Sequence, residues 1–210
     1  MKPVLLINPN SSEQTTAAMV AIARRHLPNV VGWTNVKAPG MITDPVALDA
    51  AADQVARADL PEASAVIVAA FGDPGAEVLA RRLQVPVVGI GAAAARAAGQ
   101  GGAPFAVVTT TPRLAAAIDA LMRTNDRGAY LGCFLTEGDP VSLTANPAAL
   151  DDALTRACLA AAKAGARRVI IGGGPLAEAA IRIAPRVAVP LVQPISAACA
   201  EVAVFGRSRP

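Results

Sequence analysis

Short runs of β-branched and small apolar residues recur along the chain: Val4-Leu-Leu-Ile7, Ala65-Val-Ile-Val-Ala69, Phe105-Ala-Val-Val108 and Val169-Ile-Ile171. None alternates with polar positions, as a strand with one wet face would. Runs that are apolar on both faces fit parallel strands covered by helices on each side. Strands are expected at residues 4–8, 30–36, 65–69, 85–89, 105–109, 129–134, 168–172 and 191–193. Between them, helical patterns fall at 13–26, 45–58, 74–83, 92–98, 112–123, 147–164 and 175–183, with a last helix at 196–205. This alternation predicts an α/β fold with parallel sheets. Asn146-Pro147 and Asp73-Pro74 each read as a capping side chain followed by proline at the first helical position, and Gly165 closes the long helix.

The two halves repeat one another. Leu5-Leu-Ile-Asn-Pro9 corresponds to Ala106-Val-Val-Thr-Thr110, Val66–Ala70 to Val169–Gly173, and Val85-Pro-Val-Val88 to Val189-Pro-Leu-Val192. The expected object is a pair of pseudosymmetric lobes from an internal duplication, each a four-stranded parallel sheet flanked by helices. Residues 1–98 with 195–210 would form the first lobe and 99–194 the second, with Gln100-Gly-Gly-Ala-Pro104 as the seam and the last helix returning to the first lobe. Ligands in such sheets bind beyond the carboxyl ends of the strands. There, Ala70-Phe-Gly-Asp-Pro-Gly75 and Gly172-Gly-Gly-Pro175 supply small-residue turns, so Ala70 and Gly173 are expected to face each other across a substrate.

Composition narrows the function. The apolar fraction is 53%, much of it alanine, and the apolar runs are far shorter than the roughly 20 residues of a membrane helix. The start of the chain lacks the apolar length of a signal peptide, so a cytoplasmic protein without a membrane partner is expected. The net charge of +3 comes from 19 basic and 16 acidic residues; they are scattered rather than patched, which argues against nucleic acid. Cys133, Cys158 and Cys199 are spaced for neither a disulfide framework nor a zinc site. No metal or cofactor is expected. A homo-oligomer acting on a small molecule, anionic or a cyclic amide, is the expected form.

Four motifs, Ile7-Asn-Pro-Asn-Ser11, Ala70-Phe-Gly-Asp-Pro-Gly75, Val107-Val-Thr-Thr-Thr-Pro-Arg113 and Ile171-Gly-Gly-Gly-Pro-Leu176, together resemble the aspartate/glutamate/hydantoin racemase superfamily, most closely its hydantoin racemase branch. The resemblance implies cofactor-independent chemistry at a carbon next to a carbonyl. One cysteine thiolate removes a proton, and a second on the opposite lobe returns one to the other face. Those positions fall on Ala70 and Gly173, neither of which can take a proton. A two-thiol racemase is therefore not expected. Decarboxylation or hydrolysis would be compatible with the missing thiols, and a binding protein without chemistry is the alternative.

For substrate binding the resemblance and the strand ends point to Asn10, Ser11, Met41, Ala70, Phe71, Gly72, Thr109, Thr110, Gly173, Gly174 and Pro175. Successive glycines suit an oxyanion-binding turn. Asp73 and Glu178 are the carboxylates nearest the two thiol positions and are the candidate bases, Asp73 also being a candidate cap. Arg113 stands at a helix start, where a cation is unfavourable unless an anionic ligand or a partner carboxylate answers it. His26, following Arg24-Arg25 at a helix end, is assigned no catalytic role. Cys133 is expected to be buried and unreactive.

Overall fold

A computed structural model of the chain describes residues 2–126 and 129–207. Met1 and residues 208–210, which the expected first lobe includes, lie outside the described residues. Strands β1 (Val4–Asn8), β2 (Val30–Thr34), β3 (Ala65–Val68) and β4 (Val87–Gly89) form a parallel sheet in the order β2-β1-β3-β4. Strands β5 (Phe105–Thr109), β6 (Tyr130–Leu135), β7 (Arg168–Ile171) and β8 (Leu191–Val192) form a second parallel sheet, β6-β5-β7-β8. Both sheets have one topology, and two bonds at their carboxyl ends recur as well. Asn35 donates its N–H to the Asn8 carbonyl at 3.0 Å, as Thr136 does to Thr109 at 3.1 Å; Asp73 donates to Ala70 at 3.0 Å, as Leu176 does to Gly173 at 3.1 Å.

The strands are apolar on both faces because both are covered. In the first sheet Leu5, Ile7, Val66 and Val68 pack toward Val55 of α2 (Pro45–Arg57) and Leu79 of α3 (Ala76–Arg82). Leu6 and Ile67 turn the other way, onto Met19 and Ile22 of α1 (Glu13–Ala23). The second sheet sends Ala106, Val108 and Ile171 against the long helix Pro147–Lys163, and Phe105, Val107 and Ile170 against Ile118 and Met122 of α5 (Ala115–Asn125).

Helix α4 (Ile90–Ala98) joins the lobes. Its Ala93 belongs to the core of the first sheet, whereas Ala94, Ala95 and Ala98 pack in the core of the second. Alanine serves here because a larger side chain would hold the two cores apart. Arg168 of β7 donates to the carbonyls of Ala98 at 2.9 Å and Gln100 at 2.8 Å, placing a cation on the negative end of α4. Arg96 forks onto Glu201 at 2.8 and 2.7 Å and reaches Asn125 at 2.8 Å. Glu201 sits on the last helix, Pro194–Arg207, which buries Ile195, Ala198, Cys199 and Val202 in the core of the first sheet.

Several boundaries differ from the sequence pattern. Three helices expected to begin at Pro74, Pro112 and Pro175 begin at Ala76, Ala115 and Ala177, the last two after a 3-10 turn that contains the proline. A short helix at Pro140–Thr144, capped by Asp139, was not expected. Among the described residues no helix is long and apolar enough to cross a membrane, and no group of three or more His, Cys, Asp or Glu could hold a metal ion.

Candidate active site

The site is built where the carboxyl ends of the two sheets meet. On the first lobe the turn after β1 is held by Asn8, whose side-chain amide donates to Asn10 Oδ1 at 2.8 Å and Thr16 Oγ1 at 3.0 Å. Asn10 Oδ1 also accepts from the Ser12 N–H at 2.9 Å. Its acceptor is thereby engaged, while its NH2 group makes no hydrogen bond among the described residues. Ser12, not Ser11, caps α1, accepting from Thr15 N at 3.1 Å. Ser11 ties its N–H to the Pro39 carbonyl at 3.1 Å.

On the second lobe Thr109 spends its hydroxyl on the Gly172 carbonyl at 2.8 Å and lies 3.1 Å from the Thr111 hydroxyl. Thr110, only 1% exposed, has no partner for its hydroxyl among the described residues. The glycine turn after β7 presses against the end of β3. A Cβ on Gly174 would stand 2.8 Å from Met19 Sδ and 3.2 Å from the Ala69 carbonyl oxygen, so a side chain there would push the lobes apart. Gly173 has a φ of 148°, a conformation that L side chains rarely adopt.

Between these turns lies a narrow cavity of about 40 Å³. Asn10, Ala70, Phe71, Thr109, Thr110, Gly173, Gly174 and Pro175 line it, together with Met41. The rest of the wall is apolar: Ile42 and Leu48 from the first lobe, Leu114 and Ile118 from the second. Thr111, Gly172 and Leu176 also reach it. The N–H groups of Phe71, Thr110, Thr111 and Gly173 make no hydrogen bond among the described residues. Among the described residues that line it, none carries a titratable side chain. The cavity is therefore lined by neutral residues, several with unpartnered N–H groups, and by an apolar wall.

Two expected contributors to catalysis are placed elsewhere. Asp73 neither lines the cavity nor caps the helix that follows it. Its backbone is left-handed at φ 50° and Gly75 takes the N-cap position of α3, so the carboxylate is swung away onto α4. It accepts there from the N–H groups of Gly91 and Ala92, each at 2.7 Å. Glu178 is exposed and lines an outer groove of about 620 Å³ with Ser12, Thr15 and Thr43. Met41, Gly174 and Pro175 are shared by groove and cavity. Ser11 and Gly72 border the turns without lining the cavity. Arg113 is exposed and lies 3.6 Å from Asp44 of the first lobe, so a partner carboxylate answers it across the mouth of the cleft. His26 is exposed. Cys133 packs beside Tyr130 and α5, and burial pushes its thiol up to about 12.

Burial pushes the Asp73 carboxyl from 3.8 up to about 6, against the pull of the two N–H groups and of Arg96; Glu201 adds to the rise. Folding therefore takes up a proton between these values. Its contribution to stability is full below the unfolded value and is lost as pH rises through about 6. Asp73→Asn is expected to flatten this slope. Thermal melts of both proteins across that pH window check it, and equal slopes would remove the assignment.

The lining residues absent from the sequence expectation include Thr111 and the apolar Ile42, Leu48, Leu114 and Ile118. Leu114 and Ile118 stand four apart on one helical face, a spacing that reads as ordinary core.

The Asp/Glu/Hydantoin racemase family description matches residues 4–202. The hydantoin racemase of Paenarthrobacter aurescens is 26% identical, the match covering 93% of this chain and 87% of that one. Among solved structures, allantoin racemase from Pseudomonas fluorescens superposes with a TM-score of 0.87 at 29% identity, covering 98% of this chain and 91% of that one. Allantoin racemase from Klebsiella pneumoniae gives 0.85 at 24% identity over 99% and 88%, a likeness of fold.

Proposed function

The chain belongs to the Asp/Glu/hydantoin racemase family, and we propose that it is a cofactor-independent enzyme of this family that acts next to a carbonyl of a small carboxylate, cyclic amide or ureide without a pair of catalytic thiols. The observation that carries this reading is one cavity lined by residues with unpartnered donors: the Thr110 hydroxyl, the Asn10 amide and the N–H groups of Phe71, Thr111 and Gly173. Donors fixed around the position where negative charge develops stabilise an enolate-like oxygen without reorganising. The family resemblance expects thiols where Ala70 and Gly173 stand, and Asp73 and Glu178 do not line the cavity. The protein then supplies binding and charge stabilisation, and no protein base removes a proton.

Loss of carbon dioxide fits those means. The carbon–carbon bond to one carboxylate of a malonate breaks, its electron pair passes into the enolate held by the donors, and water protonates the carbon. A second reading, a binding protein that has kept the cleft without chemistry, is favoured by the absence of any titratable lining side chain among the described residues. The recurrence of one sheet topology supports reading the lobes as copies of one unit. The test is proton NMR in deuterated buffer with substituted malonates, hydantoins, allantoin and amino acids. Carbon dioxide loss from a malonate is expected, with no racemisation of hydantoin or allantoin. Saturable binding without turnover would establish the second reading. Racemisation abolished by Cys133→Ala would overturn both.

A further inference from the structure

Among the described residues Asp73 is the one non-glycine residue with a positive φ, at 50°, and its carboxylate is turned inward onto α4 rather than toward the cavity. Such strain persists only where the surrounding structure over-determines it. Three features do so. The Asp73 N–H closes its turn on the Ala70 carbonyl at 3.0 Å. The carboxylate accepts from the N–H groups of Gly91 and Ala92, each at 2.7 Å. Gly89 and Gly91 leave room for it, since a Cβ on either would stand 2.2 Å from Asp73 Cγ or 3.2 Å from Asp73 Oδ1. Gly89, at the N-cap position of α4, makes no side-chain cap bond, so Asp73 caps that helix from another segment.

A helix cap alone would need no link to the cavity, and here there is one. Ala70 and Phe71, on the same turn, line it. Phe71 packs in the core of the second sheet with Ala94, Ala95 and Ala98 of α4. Its ring also reaches the opposite turn, where a Cβ on Gly172 would stand 2.8 Å from Phe71 Cε1. The seat of the carboxylate adjoins the second lobe as well, since a Cβ on Gly91 would stand 2.6 Å from Leu121 Cδ2 of α5. Ionised, the carboxylate accepts from both N–H groups; protonated, it sets an O–H against one of them. Arg96 of α4 and Glu201 of the last helix are the charges that act on it. Asp49 and Asp53 of α2 and Glu77 of α3 share with it an outer depression of about 280 Å³.

We infer that Asp73 is a positioning residue: its ionised carboxylate, seated on the start of α4, sets the Ala70–Phe71 turn against the second lobe in the form that admits a ligand to the cavity. This role rests on the cavity being the ligand site that the proposed function requires. Two readouts on the unmodified chain between pH 7.5 and 5.5 test it. One is the Gly172 amide signal by NMR, which senses the Phe71 ring; the other is the affinity for 2-phenylpropanoate, which stays ionised over this range. With the carboxyl titrating at about 6, roughly a quarter of it is ionised at pH 5.5, so the affinity is expected to fall about fourfold while the Gly172 signal moves. A cap without this role predicts no change or the opposite sign, because removal of a negative charge favours an anion. Asp73→Asn sets an NH2 against one of the two N–H groups, and Gly89→Ala displaces the carboxylate without altering residue 73. Both are expected to shift the Gly172 signal and to bind at least about tenfold more weakly, with Asp73→Asn flat in pH. Affinity that stays level or rises toward pH 5.5, or a Gly172 signal that does not move, overturns the role and leaves the cavity as the ligand site. Absence of binding at both pH values ends the proposed function, and the role with it.

Discussion

Ala70→Cys is expected to turn a chain that exchanges no substrate proton into one that exchanges it on a single face. The Ala70 side chain already lines the cavity from a half-buried position, so the substitution adds one sulfur to an existing Cβ direction. The unpartnered N–H of Phe71 beside it favours a thiolate. A thiolate that withdraws and returns the hydrogen from one side introduces deuterium with retention of configuration. Inversion requires a second group on the other lobe, and there the backbone stands in the way. Gly173 at φ 148° would place a Cβ in a conformation L residues rarely adopt, 3.2 Å from Leu176 Cγ. Such strain costs about 1–3 kcal/mol, so Ala70→Cys with Gly173→Cys should be less stable than the single variant and exchange with retention as the single variant does. The measurement is deuterium content and optical rotation of 2-phenylpropanoate. Deuterium entry catalysed by the unmodified chain, or rapid inversion by the double variant, would refute this account of the two positions.

The parts of the molecule legible in the sequence are those governed by local rules. Parallel strands such as Ala65–Val68 show themselves because both faces are buried, and the start of the long helix shows in Asn146-Pro147, whose side chain accepts from Ala149 N at 3.2 Å. Asp73-Pro74 carries the same local signature and means something else. Positive φ at Gly72, Asp73 and Gly75 winds the turn so that the carboxylate meets Gly91 and Ala92, a tertiary contact that spacing along the chain does not encode. Asp139-Pro140 repeats the signature once more, over a helix of five residues too short to display a period. The polar side of the cavity was legible at Asn10, Thr109, Thr110 and Gly173 because strand ends and small-residue turns mark it. Its apolar side was not, since Leu48, Leu114 and Ile118 differ from core residues only in what lies opposite them.

Thr110→Val separates stability from binding, with opposite signs. Valine keeps the shape of threonine and exchanges the hydroxyl for a methyl group. In the free protein that hydroxyl is buried without a partner among the described residues, so its removal relieves a penalty of about 1–3 kcal/mol, and the variant is expected to melt higher. A bound carboxylate loses a bond to a charged acceptor, worth about 1.5–3 kcal/mol, so its affinity should fall by roughly 10- to 150-fold. Thr136 supplies the control. Its hydroxyl is likewise buried and unpartnered, yet it does not line the cavity. Thr136→Val should therefore raise the melting temperature and leave binding unchanged. Calorimetric melts and titration with 2-phenylpropanoate read both quantities. Unaltered affinity in Thr110→Val would mean that the backbone N–H groups hold the carboxylate alone, and an equal loss in Thr136→Val would mean that the effect reaches the ligand through the fold rather than through the hydroxyl.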